Sequence, residues 1–459
     1  MNRRLSILFA LTSILLWVVL VSACKPESRS QVSQSTSTVS VQTASAATIN
    51  ASVAPTAAVT STLNKPLVCQ FKNTTSPGPS SSATSYSFSE PQVVFTSTKQ
   101  GVLEIYGWLP DNNRLLINGY DKNTDKFTVE VLDVQTGDLH RYVERQADYW
   151  TGWLPQQQVL AYVDSEFINS ATGIVRRDLW ISRGDPKHTE RVANGVNDEA
   201  LAMDTAGRLT FFTQDKSNEP SDLQLQRLDE TMQARQALPL DLAQWELPRY
   251  AQSNEAANRQ FRRLQSAWRP GTGSQVLFYF SDLGALLADT RTGQLCEIEL
   301  RQQKTPLVPI RVAWSPDGQY LAALVKAAGA ERYFRSLLVI DMNTGQQFVP
   351  ELDTDAPVGA EVLDIEWGPD SQHLAVLTTV IQSLTPNDVI HKLYLVDVPA
   401  QAVQQMLPNT TESIGDGGGP GEMSWSPDGR YLAINCPISS RKEIIKEQRI
   451  CLITISAVP

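Results

Sequence analysis

The sequence predicts an all-β fold, a closed ring of seven four-stranded antiparallel blades, preceded by an export segment and a spacer. Three observations predict it. A tryptophan-anchored motif recurs along the chain. Each clear copy carries turn residues at fixed offsets. The distance between copies fits about four short strands.

Two copies are nearly identical: Ala313-Trp-Ser-Pro-Asp-Gly-Gln-Tyr-Leu-Ala-Ala-Leu324 and Ser424-Trp-Ser-Pro-Asp-Gly-Arg-Tyr-Leu-Ala-Ile-Asn435. Weaker copies stand at Gly107-Trp-Leu-Pro-Asp, Gly152-Trp-Leu-Pro, Ala267-Trp-Arg-Pro-Gly and Glu366-Trp-Gly-Pro-Asp. A decayed copy, Ala202-Met-Asp-Thr-Ala-Gly-Arg-Leu209, fills the widest interval. The anchors are Trp108, Trp153, Met203, Trp268, Trp314, Trp367 and Trp425, between 45 and 65 residues apart.

Ser, Pro, Asp and Gly in that order are the preferred content of a type I turn. The turn joins a strand ending at Trp to one beginning at Tyr-Leu-Ala. That second strand is apolar along its length, as in Tyr320-Leu-Ala-Ala-Leu-Val325, which predicts burial on both faces. A third strand ends on a second tight turn, as in Val131-Leu-Asp-Val-Gln-Thr-Gly137 and Val339-Ile-Asp-Met-Asn-Thr-Gly345. One blade cannot cover its own two faces, but blades stacked in a ring can. The motif Trp side chains are therefore expected between blades, and the motif Asp side chains in turns rather than in catalysis.

The copies at 314 and 425 resemble the WD40-like PD40 repeat of the TolB propeller family, over about residues 92–457. The resemblance implies a β-propeller and a periplasmic or surface binding platform. TolB proteins carry an α/β domain ahead of the propeller, where this chain has a spacer.

At the N-terminus Arg3 and Arg4 precede an apolar run, Leu5 to Ala23, that ends at Cys24. Val21-Ser22-Ala23-Cys24 resembles the lipobox of bacterial lipoproteins. The resemblance implies a signal peptide over 1–23, a lipid on Cys24 and a body tethered to the membrane on its extracytoplasmic side. The alternative is an uncleaved anchor, since the run is long enough to span. Residues 24–90 are rich in Ser, Thr, Ala, Val and Pro and nearly free of charge, which predicts a disordered tether. The apolar piece Pro66-Leu-Val-Cys-Gln-Phe71 interrupts it and is a candidate to dock on the body, assigned to residues 91–459.

The last blade lacks an outer strand, and Gln92-Val-Val-Phe-Thr96 lacks a blade. Pairing that strand with Ile450–Ile455 closes the ring and removes two open edges. The same register puts Cys436 and Cys451 on neighbouring strands, where a disulfide is the first choice. Cys69 and Cys296 remain as the second pair by elimination, and the alternative is buried free thiols.

The sites of function are less legible. The net charge of −10 argues against nucleic acid as a general partner. No Gly-x-Ser-x-Gly, His-Glu-x-x-His or phosphate-loop signature occurs, so no cofactor or metal is implied. Gly415-Asp-Gly-Gly-Gly-Pro-Gly421 reads as a connector, Asp121-Lys-Asn-Thr-Asp125 as a polar turn, and Ser253–Gln265 as a short inserted helix. Four long loops are expected on one face, at Asp164–Arg177, Ala327–Arg335, Thr378–His391 and Pro437–Gln448. They carry Phe167, Arg332, Tyr333, Phe334, Arg335, Arg441 and Lys442, candidate contacts for an envelope protein, peptide or glycan. Solvated insertions without a ligand are the alternative. The chain is expected to be a monomer. The rival function is a propeller lyase or hydrolase, which paired carboxylates in the central channel would favour.

Overall fold

The computed structural model describes residues 67–458, except for 72–84, 98–102, 146–149, 170–173, 184–187, 215–222, 241–263, 281–283, 328–334, 353–358, 382–388, 408–412, 415–422, 439–447 and a few isolated positions. The signal segment, Cys24 and most of the tether lie outside the described residues. So do Arg332, Tyr333, Phe334, Arg441, Lys442 and the inserted helix up to 263. Every regular element among the described residues is a strand.

Seven antiparallel sheets follow one another along the chain. With strands a to d running from inner to outer, blade 1 is Glu104–Trp108, Arg114–Asp121, Lys126–Asp133 and Leu139–Arg145. Blade 2 is Thr151–Leu154, Val159–Asn169, Ile174–Ser182 and Thr189–Ala193. Blade 3 is Val196–Met203, Leu209–Gln214, Leu223–Leu228 and Arg235–Ala237. Blade 4 is Leu264–Trp268, Gln275–Phe280, Gly284–Asp289 and Gln294–Ile298. Blade 5 is Thr305–Trp314, Tyr320–Ala327, Ser336–Asp341 and Gln347–Phe348. Blade 6 is Gly359–Trp367, His373–Ile381, Val389–Asp397 and Ala402–Gln405. Blade 7 is Met423–Trp425, Tyr431–Asn435 and Gln448–Ala457, completed from the N-terminal side of the chain. This is a seven-bladed β-propeller.

The strand period explains the core. In blade 5, Leu321, Ala323 and Val325 pack with blade 4, whereas Ala322 and Leu324 pack with blade 6. In blade 6, Leu374 and Val376 face blade 5, and Ala375 and Leu377 face blade 7. Successive side chains of a strand point to opposite faces, so a continuous apolar run serves two interfaces at once. Among the described residues the apolar interior is thus seven clusters, one between each pair of neighbours.

The anchors form a relay of hydrogen bonds. The indole N–H of Trp314 donates to Ala267 O, Trp367 to Ala313 O, Trp425 to Glu366 O and Trp108 to Ser424 O, at 2.9–3.1 Å. Each acceptor is the residue just before the previous blade's Trp. The relay breaks where the repeat decays. Trp268 follows the Met203 blade and donates instead to Thr210 Oγ1, at 2.6 Å. Trp153 Nε1 is buried with no hydrogen-bond partner among the described residues.

Ring closure uses two N-terminal pieces rather than one. Gln92–Ser97 pairs antiparallel with the last strand, from Gln92↔Leu452 to Ser97↔Gln448. Tyr86–Phe88 continues along that strand, from Tyr86↔Ala457 to Phe88↔Ile455. Cys436 is bonded to Cys451, and Cys69 to Cys296. Leu67–Val68 adds to the outer edge of blade 4 as a parallel strand.

Several expectations from the sequence change. Leu67–Cys69, in the apolar piece expected to dock on the body, pairs with blade 4 and is bridged to it, whereas Tyr86–Phe88, assigned to the disordered tether, lies on blade 7, because pairing with the last strand offsets the entropy of ordering it. Leu264 and Gln265, assigned to the inserted helix, are the first residues of blade 4. Parts of two expected loops are strand: 164–169 and 174–177 in blade 2, and 378–381 and 389–391 in blade 6. Strands b and c run on into these ranges and stay paired, with Arg176↔Glu166 and Val175↔Phe167 in blade 2 and Thr379↔His391 in blade 6.

Candidate functional site

The two faces of the ring differ. The a–b and c–d turns share one face. Its chemistry is that of the repeat: Gly318 N donates to Ser315 O at 2.8 Å, Tyr320 N donates to Ser315 Oγ at 2.9 Å, and Gly318 has φ +73°. These turns also tie neighbouring blades together. Arg269 Nε donates to Gly318 O, Asp317 N to Ser371 Oγ, and Asp428 N to Asn112 Oδ1, at 2.8–3.0 Å. The motif Asp residues Asp317 and Asp428 hold the Ser hydroxyl and backbone of their own turns. A shallow recess lined by Arg114, Asp133, His140 and Tyr142 lies at the outer edge of blade 1 on this face.

The opposite face carries the b–c and d–a connections, and additional strand structure collects there. The hairpins of blades 2 and 6 extend through strands of 9 to 11 residues. Arg301–Gln302 folds back on the start of the next blade, pairing with Pro306 and Thr305. Ser413–Ile414 pairs with Pro437–Ile438 across the entry and the b–c connection of blade 7.

One candidate cation on this face, Arg335, is an internal tie. Arg335 Nε lies 3.1 Å from Glu361 Oε1, and Arg335 O accepts from Val362 N, joining blade 5 to blade 6. Burial pushes the Glu361 carboxyl above its ordinary range, and Arg335 pulls it back. In blade 2, Arg176 and Arg191 both grip the buried Asp178. Phe167 lies in the Val159–Asn169 strand of the blade 2 hairpin.

The inner rim holds a cluster that motif reasoning missed. Arg311 stands three residues before Trp314, and Asp364 three before Trp367. They form a hydrogen-bonded ion pair across the blade 5–6 boundary. Asp364 is fully buried and also accepts from Ile365 N at 2.8 Å. Tyr279 of blade 4 adds to the field at Arg311. Glu366 is the second carboxyl. It sits immediately before Trp367, where the other blades carry Gly107, Gly152, Ala202, Ala267, Ala313 and Ser424. Among the described residues its carboxyl has no hydrogen-bond or ion-pair partner. Burial pushes it up to about 8; Arg311 opposes that rise and Asp364 adds to it. A carboxyl that is mostly protonated near neutrality can both donate and accept a hydrogen bond, or exchange a proton with a bound group. The signal for it was in the sequence: one acidic residue at a position otherwise filled only by small ones.

Among the described residues, no three His, Cys, Asp or Glu side chains converge on a point where a metal ion could bind.

No family model matches the sequence, and no curated protein matches it. Solved structures do match in shape. The β-propeller domain of Myceliophteria thermophila Cps50 (Swd1) is 13% identical, with a TM-score of 0.45 over 79% of this chain and 99% of that one. An oligogalacturonate lyase in complex with manganese is 13% identical, with a TM-score of 0.46 over 81% and 98%. The GH74 xyloglucanase of Xanthomonas campestris is 13% identical, with a TM-score of 0.47 over 76% of this chain and 52% of that one. At this identity the likeness concerns the propeller fold alone.

Proposed function

We propose that this is a membrane-tethered, extracytoplasmic binding or scaffold protein of the TolB-like, PD40-repeat type. It is a lipoprotein anchored through Cys24 that presents its b–c face to an envelope protein, peptide or glycan. The asymmetry of the two faces carries the reading. One face is closed by turn-to-turn hydrogen bonds, and the other holds the long hairpins and extra strand pairs, where binding residues on a rigid scaffold belong. The two disulfides support an oxidising compartment. The net charge supports a partner other than nucleic acid.

The test is capture from solubilised envelope by the chain from residue 25 onward, beside a variant whose blade 2 hairpin is shortened by joining Ser165 to Arg177 with a tight turn. A partner held by the first and lost by the second supports the reading. Equal capture by both, or capture by neither while both remain folded, opposes it. The mass of the mature N-terminus reports whether Cys24 carries lipid.

Glu366 favours a second reading, an enzyme acting at the inner rim. Hydrolysis or lysis of an envelope polysaccharide that is lost in a folded Glu366→Gln variant would establish it.

A further inference from the structure

We propose that the Cys69–Cys296 bridge is the mechanical anchor of the tethered body, so that pull on the N-terminal segment ends on blade 4 and never reaches the strands that close the ring. The inference deepens the tethered reading and rests on it for the direction of the pull.

The ring is closed by its most vulnerable strands. Tyr86–Phe88 and Gln92–Ser97 are outermost on blade 7, and both lie on the N-terminal side of the fold. Tension entering at residue 85 would load their hydrogen bonds one after another. It would begin at Val458 N to Ser85 O and continue through the pairs with Ala457, Ser456 and Ile455. Sequential loading is peeling, in which each bond fails alone. Loss of these strands would expose the edge of the last strand and uncover Phe88 and Phe95, which pack against the interfaces of blade 7.

The covalent path avoids this. Leu67 and Val68 pair in parallel with Cys296 and Glu297, Cys69 N donates to Glu297 O at 2.9 Å, and the disulfide follows at once. Phe71 then lies against Gly345 of blade 5, where an added Cβ would stand 2.6 Å from the ring. Tension from the tether passes through sulfur to Cys296. That residue sits inside the outer strand of blade 4, which pairs with its neighbour from Asp289↔Gln294 to Ala285↔Ile298. Pull applied in the middle of a strand loads the bonds on both sides together rather than in turn. Cys69 is itself buried among Leu277, Ile298 and Leu300. The chain beyond Cys69, including both closing strands, then carries no tension.

The position of the second disulfide sharpens the contrast. Cys436–Cys451 joins strands already adjacent in one hairpin, 15 residues apart, whereas Cys69–Cys296 joins points 227 residues apart and fixes where the tether leaves the body.

The experiment is single-molecule pulling on the chain from residue 25 onward, with one handle at its N-terminus and one introduced at position 171 of blade 2. In the wild type the first rupture should be the opening of the blade body at high force. In Cys69→Ser an earlier, low-force step should release the segment up to Ser97, about 100 Å of contour length. A third sample is wild-type protein cut at a protease site inserted between residues 75 and 80. With the bridge intact, its first rupture should match the uncut wild type, and the tether should part only after reduction. The low-force step in uncut wild type, or easy parting of the cut chain without reductant, overturns the inference. The cut sample needs no cysteine replacement, so the inference stays testable should Cys69→Ser fail to fold. An unlipidated Cys24 would overturn the tethered reading without altering the rupture result.

Discussion

Replacing Glu366 by Gln should stabilise the protein in alkali and leave it nearly unchanged in acid. The Glu366 carboxyl stands about 8 in the folded protein against an ordinary 4.5. A carboxyl raised by folding binds its proton more tightly in the native state. Its contribution is therefore fully present below about pH 4.5 and is lost as pH rises through about 8. The gap sets a ceiling of about 5 kcal/mol on that loss, at about 1.4 kcal/mol for each unit. Relaxation and water entry around a half-buried group reduce it, so about 2–3 kcal/mol is expected at pH 9. Glutamine keeps the shape and removes the ionisation. The assay is urea unfolding of wild type and variant at pH 5 and pH 9. The midpoints should nearly coincide at pH 5 and separate at pH 9, with the variant the more stable. An equal separation at both values, or a less stable variant at pH 9, would refute the reasoning.

Other perturbations follow from the same geometry. Asp364→Asn leaves Arg311 without its buried counter-charge and should cost about 3–5 kcal/mol, measured by urea unfolding at pH 7. Trp314→Phe removes an indole bond to Ala267 O and should cost about 1 kcal/mol more than Trp153→Phe, whose indole N–H has no partner among the described residues. Gly318→Ala forces a side chain into φ +73° and a Cβ to within 2.3 Å of Pro270 O, so a drop of about 1–3 kcal/mol in thermal unfolding is expected. Burial lowers the His391 imidazole to about 4, so its contribution is complete above about pH 6.5 and is lost as pH falls through about 4. A His391→Gln variant should show a flatter stability profile over that acid range.

How much was legible in the sequence depends on the kind of interaction. The turn at Ser315–Gly318, the closing role of Gln92–Thr96 and the Cys436–Cys451 adjacency rest on local turn chemistry, strand period and strand count. The strand extensions of the blade 2 and blade 6 hairpins are not legible, because Asp164–Arg177 and Thr378–His391 are too polar or irregular to show strand alternation. Cross-strand pairing holds them extended regardless of that composition. The docking of Leu67–Cys69 is legible in its apolar content, whereas Tyr86–Phe88, in a Ser-rich stretch, is ordered only by pairing with the distant last strand.

By itself the sequence determined the all-β class, the seven-blade count and the ring closure, because a repeat writes its own turn residues and strand period into each copy. Only the tertiary structure decided what meets between copies. It set Arg311 against Asp364, left the Glu366 carboxyl without a hydrogen-bond partner among the described residues, and put Leu67–Cys69 on blade 4. Those relations join residues dozens to hundreds of positions apart, and they arise from the stacking of one blade on the next, which no local pattern encodes.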